Sequence, residues 1–226
     1  MTAYEPGSFL AELTPGDRAD LERIGTARDF RRHEIIFREG ECSIWVAVLT
    51  RGRVKASSDR EQGGEALLDV RGPGALLGEL AAIDGLPRSA TVTALEPVRA
   101  LTFPGETFME FLRTHGGASV LIMRTLSARF RDADRKRAEF GAFDATGRLT
   151  HRLVELAERF GEVDEDASGS VRITLSLSQE ELAGWVGASR EAVSKALGNM
   201  RRDGLVETGR RSLVVHDLAA LRRLLH

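Results

Sequence analysis

At 226 residues the chain has room for one large domain or two ordinary ones. A formal net charge of −2 excludes a chain that is basic throughout, and no apolar run reaches the roughly 18 residues that a membrane helix needs. The N-terminus has no basic stretch ahead of an apolar core, and the single Cys42 can form neither an internal disulfide nor, alone, a metal cluster, so a cytoplasmic protein is expected.

Residues 9–25 read as a short helix with Phe9, Leu10, Leu13, Leu21 and Ile24 as its apolar positions. From about 28 to 104 short apolar bursts alternate with glycine-containing turns at Gly40, Gly52, Gly72 to Gly74 and Gly85, the texture of an all-β domain. Within it, residues 78–90, GELAAIDGLPRSA, place a carboxylate, a turn and an arginine inside apolar sequence. A short helical turn after Gly78 would offer free N–H groups to an anion, and Arg88 matches a phosphate's fork of oxygens. The other reading is an Arg88–Glu79 ion pair that ties down the turn.

Residues 105–140 take a helical period. Val120, Met123, Ser127, Phe130 and Asp134 follow steps of three and four with arginines between them. This stripe fits a dimer seam, or equally one helix lying on its own β domain. Asp144 to Arg148, DATGR, reads as a break and a new helix start, capped by Asp144 and burying Leu149, Leu153, Leu156 and Ala157. The acidic run of residues 162–166 and the following SGS read as a loop, and VRITLSL over 171–177 as a strand.

Ser178 and Glu181 have the spacing of a capping box, so a helix begins there. Gly187, Ala188 and Ser189 make a turn and the cap of a second helix, Arg190 to about Arg202, which buries Val193, Ala196, Leu197 and Met200. Helix, glycine turn and helix form a helix-turn-helix, and residues 204–215 read as a β-hairpin wing. Ser189, Arg190, Glu191, Ser194 and Lys195 occupy the N-terminal, exposed side of the second helix, which in such proteins faces base edges. Arginine suits guanine, and glutamate accepts from cytosine. Arg210 and Arg211 add a basic wing for phosphates. Such geometry also occurs outside DNA binding, but here cap, turn, reading positions and basic wing coincide.

GELAAIDGLPRSATVTA, DATGR and SQEELAGWVGASREAVSKAL, in this order across nearly the whole chain, resemble the cyclic-AMP receptor and fumarate–nitrate reduction (Crp/Fnr) family of bacterial transcription regulators. The resemblance implies an α+β protein with a cyclic-nucleotide-binding-type β-roll over 1–114, a dimerisation helix and hinge over 115–143, and a winged helix-turn-helix over 144–226. It implies a homodimer that reads palindromic double-stranded DNA with TGTGA-like half-sites, and RNA polymerase as a partner. Glu79 falls where the family bonds the ribose 2′-hydroxyl, with Gly78 and Leu80 beside it as nucleotide-binding candidates, and Arg88 with Ser89 where it holds the cyclic phosphate. The family's base-contacting pair on the long helix falls at Ala133 and Asp134, where the usual threonine hydroxyl is missing and a carboxylate stands in its neighbour's place. A carboxylate suits guanine's two parallel donors, so a guanine nucleotide competes with cAMP as the expected effector.

A single cysteine excludes an iron–sulfur sensor, and His33 and His115 are isolated as haem ligands. A nucleotide-processing enzyme would need a nucleophile, a metal site or an acid–base pair beside the phosphate, and Glu79 with Arg88 supply none of these. A nucleotide-independent, constitutive DNA binder of the same fold is the other alternative.

Overall fold

A computed structural model of the protein describes residues 4–60, 64–163, 169–175, 177–209 and 212–225. The chain divides into two compact units, residues 1–61 with 68–133, and residues 62–67 with 134–226.

The first unit opens with helices α1 (Phe9–Glu12) and α2 (Pro15–Ile24). The single helix predicted over 9–25 is two because the Thr14 hydroxyl accepts the Asp17 N–H and Pro15 takes the first helical position, so a new helix starts there. Eight strands follow: β1 (Thr26–Phe30), β2 (Ile35–Phe37), β3 (Val46–Arg51), β4 (Val54–Asp59), β5 (Glu65–Arg71), β6 (Leu76–Leu77), β7 (Thr91–Ala94) and β8 (Val98–Phe103). They form two four-stranded sheets ordered β1-β8-β3-β6 and β2-β7-β4-β5, with helix α3 (Glu79–Asp84) inserted between β6 and β7. Strand β3 shows why the unit is stable. Val46 and Val48 enter one apolar cluster with Phe103 and Phe108, while Ala47 and Leu49 enter a second with Phe37 and Val98. Side chains alternate across a strand, so burial on both faces demands a continuous apolar run.

The helical stretch predicted over 105–140 is α4 (Gly105–Thr114) and the long α5 (Gly116–Ala142), separated at His115. Val120, Met123 and Phe130 are 41%, 58% and 68% exposed along α5. Ser127 and Asp134 are exposed on the same stripe.

In the second unit, α6 (Ala145–Phe160) starts where expected, with the Asp144 carboxylate accepting the Gly147 N–H at 2.8 Å. Its apolar face of Leu149, Leu153, Leu156 and Ala157 is buried. Strands β9 (Gly161–Val163) and β10 (Val171–Ile173) follow, then α7 (Gln179–Val186), α8 (Arg190–Arg202), β11 (Val206–Gly209), β12 (Ser212–Val215) and α9 (Leu218–Arg223). The sheet order is β11-β12-β10-β9. Two details correct the sequence reading. The start of the acidic run pairs as β9 with β10, so Glu162 and Val163 are strand rather than loop. The strand predicted over 171–177 ends at Ile173.

The fold is thus a β-roll, a long helix and a winged helix-turn-helix. Among the described residues no helix is long and apolar enough to cross a membrane.

Candidate nucleotide cleft and nucleic-acid interface

Gly78 ends β6 with φ +80, a left-handed conformation that glycine adopts without steric cost, and this turns the chain into α3. A Cβ here would run into the Arg88 guanidinium and the Phe37 ring, so Gly78 also makes room for Arg88. Glu79, the first residue of α3, is only 2% exposed. One of its oxygens pairs with Arg129 of α5, which also donates to the Leu76 carbonyl at 3.1 Å. Its other oxygen, Oε2, is buried without a hydrogen-bond partner.

Arg88 is 5% exposed and donates inward, to the Ser43 hydroxyl at 3.0 Å, the Gly78 carbonyl at 2.7 Å and the Trp45 carbonyl. Its guanidinium lies 3.8 Å from the centroid of the Phe37 ring. Burial pushes its pKa down, and the charges of Glu79 and Glu41 partly oppose that. Burial likewise lowers the Arg129 pKa, with the neighbouring Arg71 charge acting in the same direction.

These residues line one cleft with Arg71, Leu80, Ser89, Ala90, Ala56 and Val92. Gly78, Glu79, Leu80, Arg88 and Ser89 therefore come together. The ion pair of Glu79 is with Arg129, whereas the hydrogen bonds of Arg88 go to two carbonyls and a hydroxyl. Ala133 and Asp134 are exposed on α5 and are not part of the lining. Arg129 escaped sequence reasoning because it stands among other arginines of α5, and no spacing marks one of them as buried.

The unpartnered Glu79 oxygen is a fit for a ligand hydroxyl, since a buried acceptor gains from a donor that reaches it. The present acceptors of Arg88 engage three of the five guanidinium N–H groups and hold the side chain in the cleft wall. No cluster of three or more His, Cys, Asp or Glu positioned for a metal ion occurs among the described residues.

The second site is built by local capping. The Ser178 hydroxyl accepts the Glu181 N–H at 3.1 Å, while the Glu181 carboxylate accepts the Ser178 N–H at 2.8 Å, which starts α7. Gly187 closes α7 with φ +65, and the Ser189 hydroxyl accepts the Ala192 N–H at 3.1 Å to start α8. Val193, Ala196, Leu197 and Met200 are buried. Ser189, Arg190, Glu191, Ser194 and Lys195 are all exposed on the opposite face. The Glu191 carboxyl is held below the usual carboxylate range by its own amide and the Ser189 hydroxyl. Exposed Asn199 lies one turn beyond Lys195 and was not singled out from sequence, although its step of four was legible. Arg210 and Arg211 lie outside the described residues.

Two family models match the chain, the cyclic nucleotide-binding domain over residues 27–115 and the Crp-like helix-turn-helix domain over 147–224. A CRP-like cAMP-activated global transcriptional regulator of Mycobacterium tuberculosis is 33% identical over 195 residues, 86% of each chain. The cyclic AMP receptor protein of Thermus thermophilus is 25% identical over 84% of this chain and 83% of its own. Among solved structures, the c-di-GMP-responsive global regulator CLP of Xanthomonas campestris superposes with a TM-score of 0.78 at 20% identity, covering 90% of this chain and 100% of that one. The last of these speaks for the fold alone. A β-roll with its cleft, a long helix, a doubly capped helix-turn-helix and a 33% identical regulator over most of both chains place the protein in the Crp/Fnr family of transcription regulators.

Proposed function

We propose that the protein acts as a homodimer in the cytoplasm, reads palindromic duplex DNA through α8, and is regulated by a cyclic nucleotide in the β-roll cleft. The observation that carries the DNA reading is the exposed face Arg190, Glu191, Ser194 and Lys195 at the capped N-terminus of α8. Arg190 is suited to guanine O6 and N7, Glu191 to cytosine N4, and Lys195 to guanine or a phosphate. Ser189 adds a phosphate contact at the helix start, and Arg210 and Arg211 are assigned to the flanking backbone. The exposed apolar stripe Val120, Met123 and Phe130 supports pairing of α5 with a second copy. RNA polymerase is the partner through which such a regulator would act, and no catalytic role is assigned to any residue.

For the effector, Glu79 Oε2 supplies an unused acceptor for a ribose hydroxyl, with Arg88 and Ser89 for the phosphate. Ala133 and Asp134 face the base in this reading, and Asp134 favours a guanine over the adenine that the mycobacterial relative's name specifies. A second reading, nucleotide-independent DNA binding, is supported by the engagement of Arg88 with carbonyls and of Glu79 with Arg129.

Gel-shift titrations on a palindromic TGTGA duplex, with and without cAMP, cGMP or a cyclic dinucleotide, separate the two. Tighter binding with one nucleotide supports regulation, and identical binding in all lanes supports the constitutive reading. No preference for the palindrome over random duplex would defeat the assigned DNA site.

A further inference from the structure

Residues 134–142, the last turns of α5, belong to the second unit, and the side-chain geometry explains why. A Cβ on Gly187 would collide with the Phe140 ring, so this ring rests directly on the backbone of the turn that launches α8. The guanidinium of Arg148 stands 4.7 Å from the centroid of the same ring. Arg148 in turn donates to the carbonyls of Val186 at 2.8 Å, Gly187 at 3.3 Å and Phe143 at 2.7 Å. The first two are at the C-terminal end of α7, where carbonyls lack partners within the helix.

Other residues of the same turns join the same body. Glu139 is 7% exposed and pairs with Arg152 of α6, itself 4% exposed, whose other nitrogen holds Glu155. The Lys136 ammonium lies 5.8 Å from the centroid of the buried Trp185 ring on α7. Lys136, Glu139 and Phe140 are spaced by three and four, so they share one side of the helix. Separating Glu139 from Arg152 would break a buried ion pair and leave Arg152 with Glu155 alone, so these turns resist detachment. The break at Phe143 and Asp144 is therefore no free joint, because it is bridged from Glu139 to Arg152 and from Phe140 to Gly187.

We propose that the last two turns of α5 are a fixed part of the DNA-reading body, with Glu139 and Phe140 as positioning residues for α8. They set the turn Gly187 to Ser189, and through it the aim of Arg190. Any displacement of the DNA-binding unit is then taken up within α5, ahead of Lys136, and not at Phe143–Asp144. The role in positioning rests on the reading of α8 as the recognition helix.

Hydrogen exchange on the intact protein tests the first part without DNA. The amides of residues 137–142 should open together with those of α6, as one cooperative unit. Exchange of this segment much faster than α6 would overturn the proposal.

Duplex binding tests the second part. Phe140→Ala should lower affinity for the preferred duplex about tenfold, leave random-duplex affinity and the salt slope unchanged, and be largely restored in Phe140→Leu. Glu139→Gln should act in the same direction. A folded Phe140→Ala protein with the parent's ratio of specific to random binding would overturn the positioning role. If the parent itself prefers no duplex, the assignment of α8 fails, while the exchange result still decides where these turns belong.

Discussion

Glu79 at the start of α3 and Arg129 on α5, 50 residues apart, are partners in an ion pair whose carboxylate side chain is 3% exposed. The cleft's acid is thus held in place by the long helix. Replacing Arg129 by Met leaves a buried carboxylate without its cation, and should lower stability by about 3 kcal/mol. Chemical denaturation of parent and variant measures this. Unchanged stability would mean that the pair contributes nothing net.

Gly78 is a more local test. Gly78→Ala imposes a left-handed backbone on an L-residue and pushes a methyl group against Arg88 and Phe37. A loss of about 2 kcal/mol follows from strain and displacement together, read as a lower melting temperature. An unchanged melting temperature would show that Arg88 moves aside freely.

His115 links the start of α5 to α2. Its Nδ1 lies 2.9 Å from the Phe111 carbonyl and its Nε2 3.4 Å from Asp20, and its ring stacks on Phe111. The Phe111 carbonyl, then Asp20 and Asp17, raise the His115 pKa above 6.5 against a smaller desolvation effect. Arg23 first, then His115, lower the Asp20 pKa below 3.8. A raised histidine pKa stabilises the fold below the ordinary histidine value and loses that contribution as pH rises through the raised pKa. A lowered aspartate pKa contributes above 3.8 and is lost as the solution is acidified further. His115→Gln should therefore cost more melting temperature at about pH 5.5 than at about pH 8.5. The opposite order would refute the pairing.

At the DNA face, Arg190→Ala should cost about 1–3 kcal/mol at one guanine and relax specificity there, whereas a phosphate-contacting Lys195 would lose affinity evenly and lower the salt slope by about 1 when replaced by Ala. Binding to a set of single-base duplex variants at several salt concentrations distinguishes the two. An Arg190→Ala protein indistinguishable from the parent would remove Arg190 from the reading set.

The elements governed by local chemistry were legible in the sequence. Asp144, Ser178 and Ser189 each accept from the N–H three residues on, so cap and helix lie within one short window. Glycine turns and alternating apolar runs likewise marked most strands. Thr14 and Pro15 carried a legible start signal that the apolar pattern of residues 9–25 overrode. Long-range partners carried no such signal. Arg88 meets Ser43, Trp45 and Gly78, Glu79 meets Arg129, and Glu139 meets Arg152 only once the chain has folded. The resemblance to a family brought Glu79 and Arg88 into one cleft, but it was silent on which acceptors hold Arg88. The Phe140 ring on Gly187 was equally hidden, since both read as ordinary ends of separate helices.

The inward bonds of Arg88 have a kinetic consequence. The guanidinium has five N–H groups and the bonds to Gly78 and Trp45, with that to Ser43, engage three, so a phosphate would meet a side chain already held in place. Association measured by stopped flow should then rise in proportion to nucleotide concentration, and a plateau at high concentration would show that the side chain must first move. The cleft would be set for its ligand before the ligand arrives.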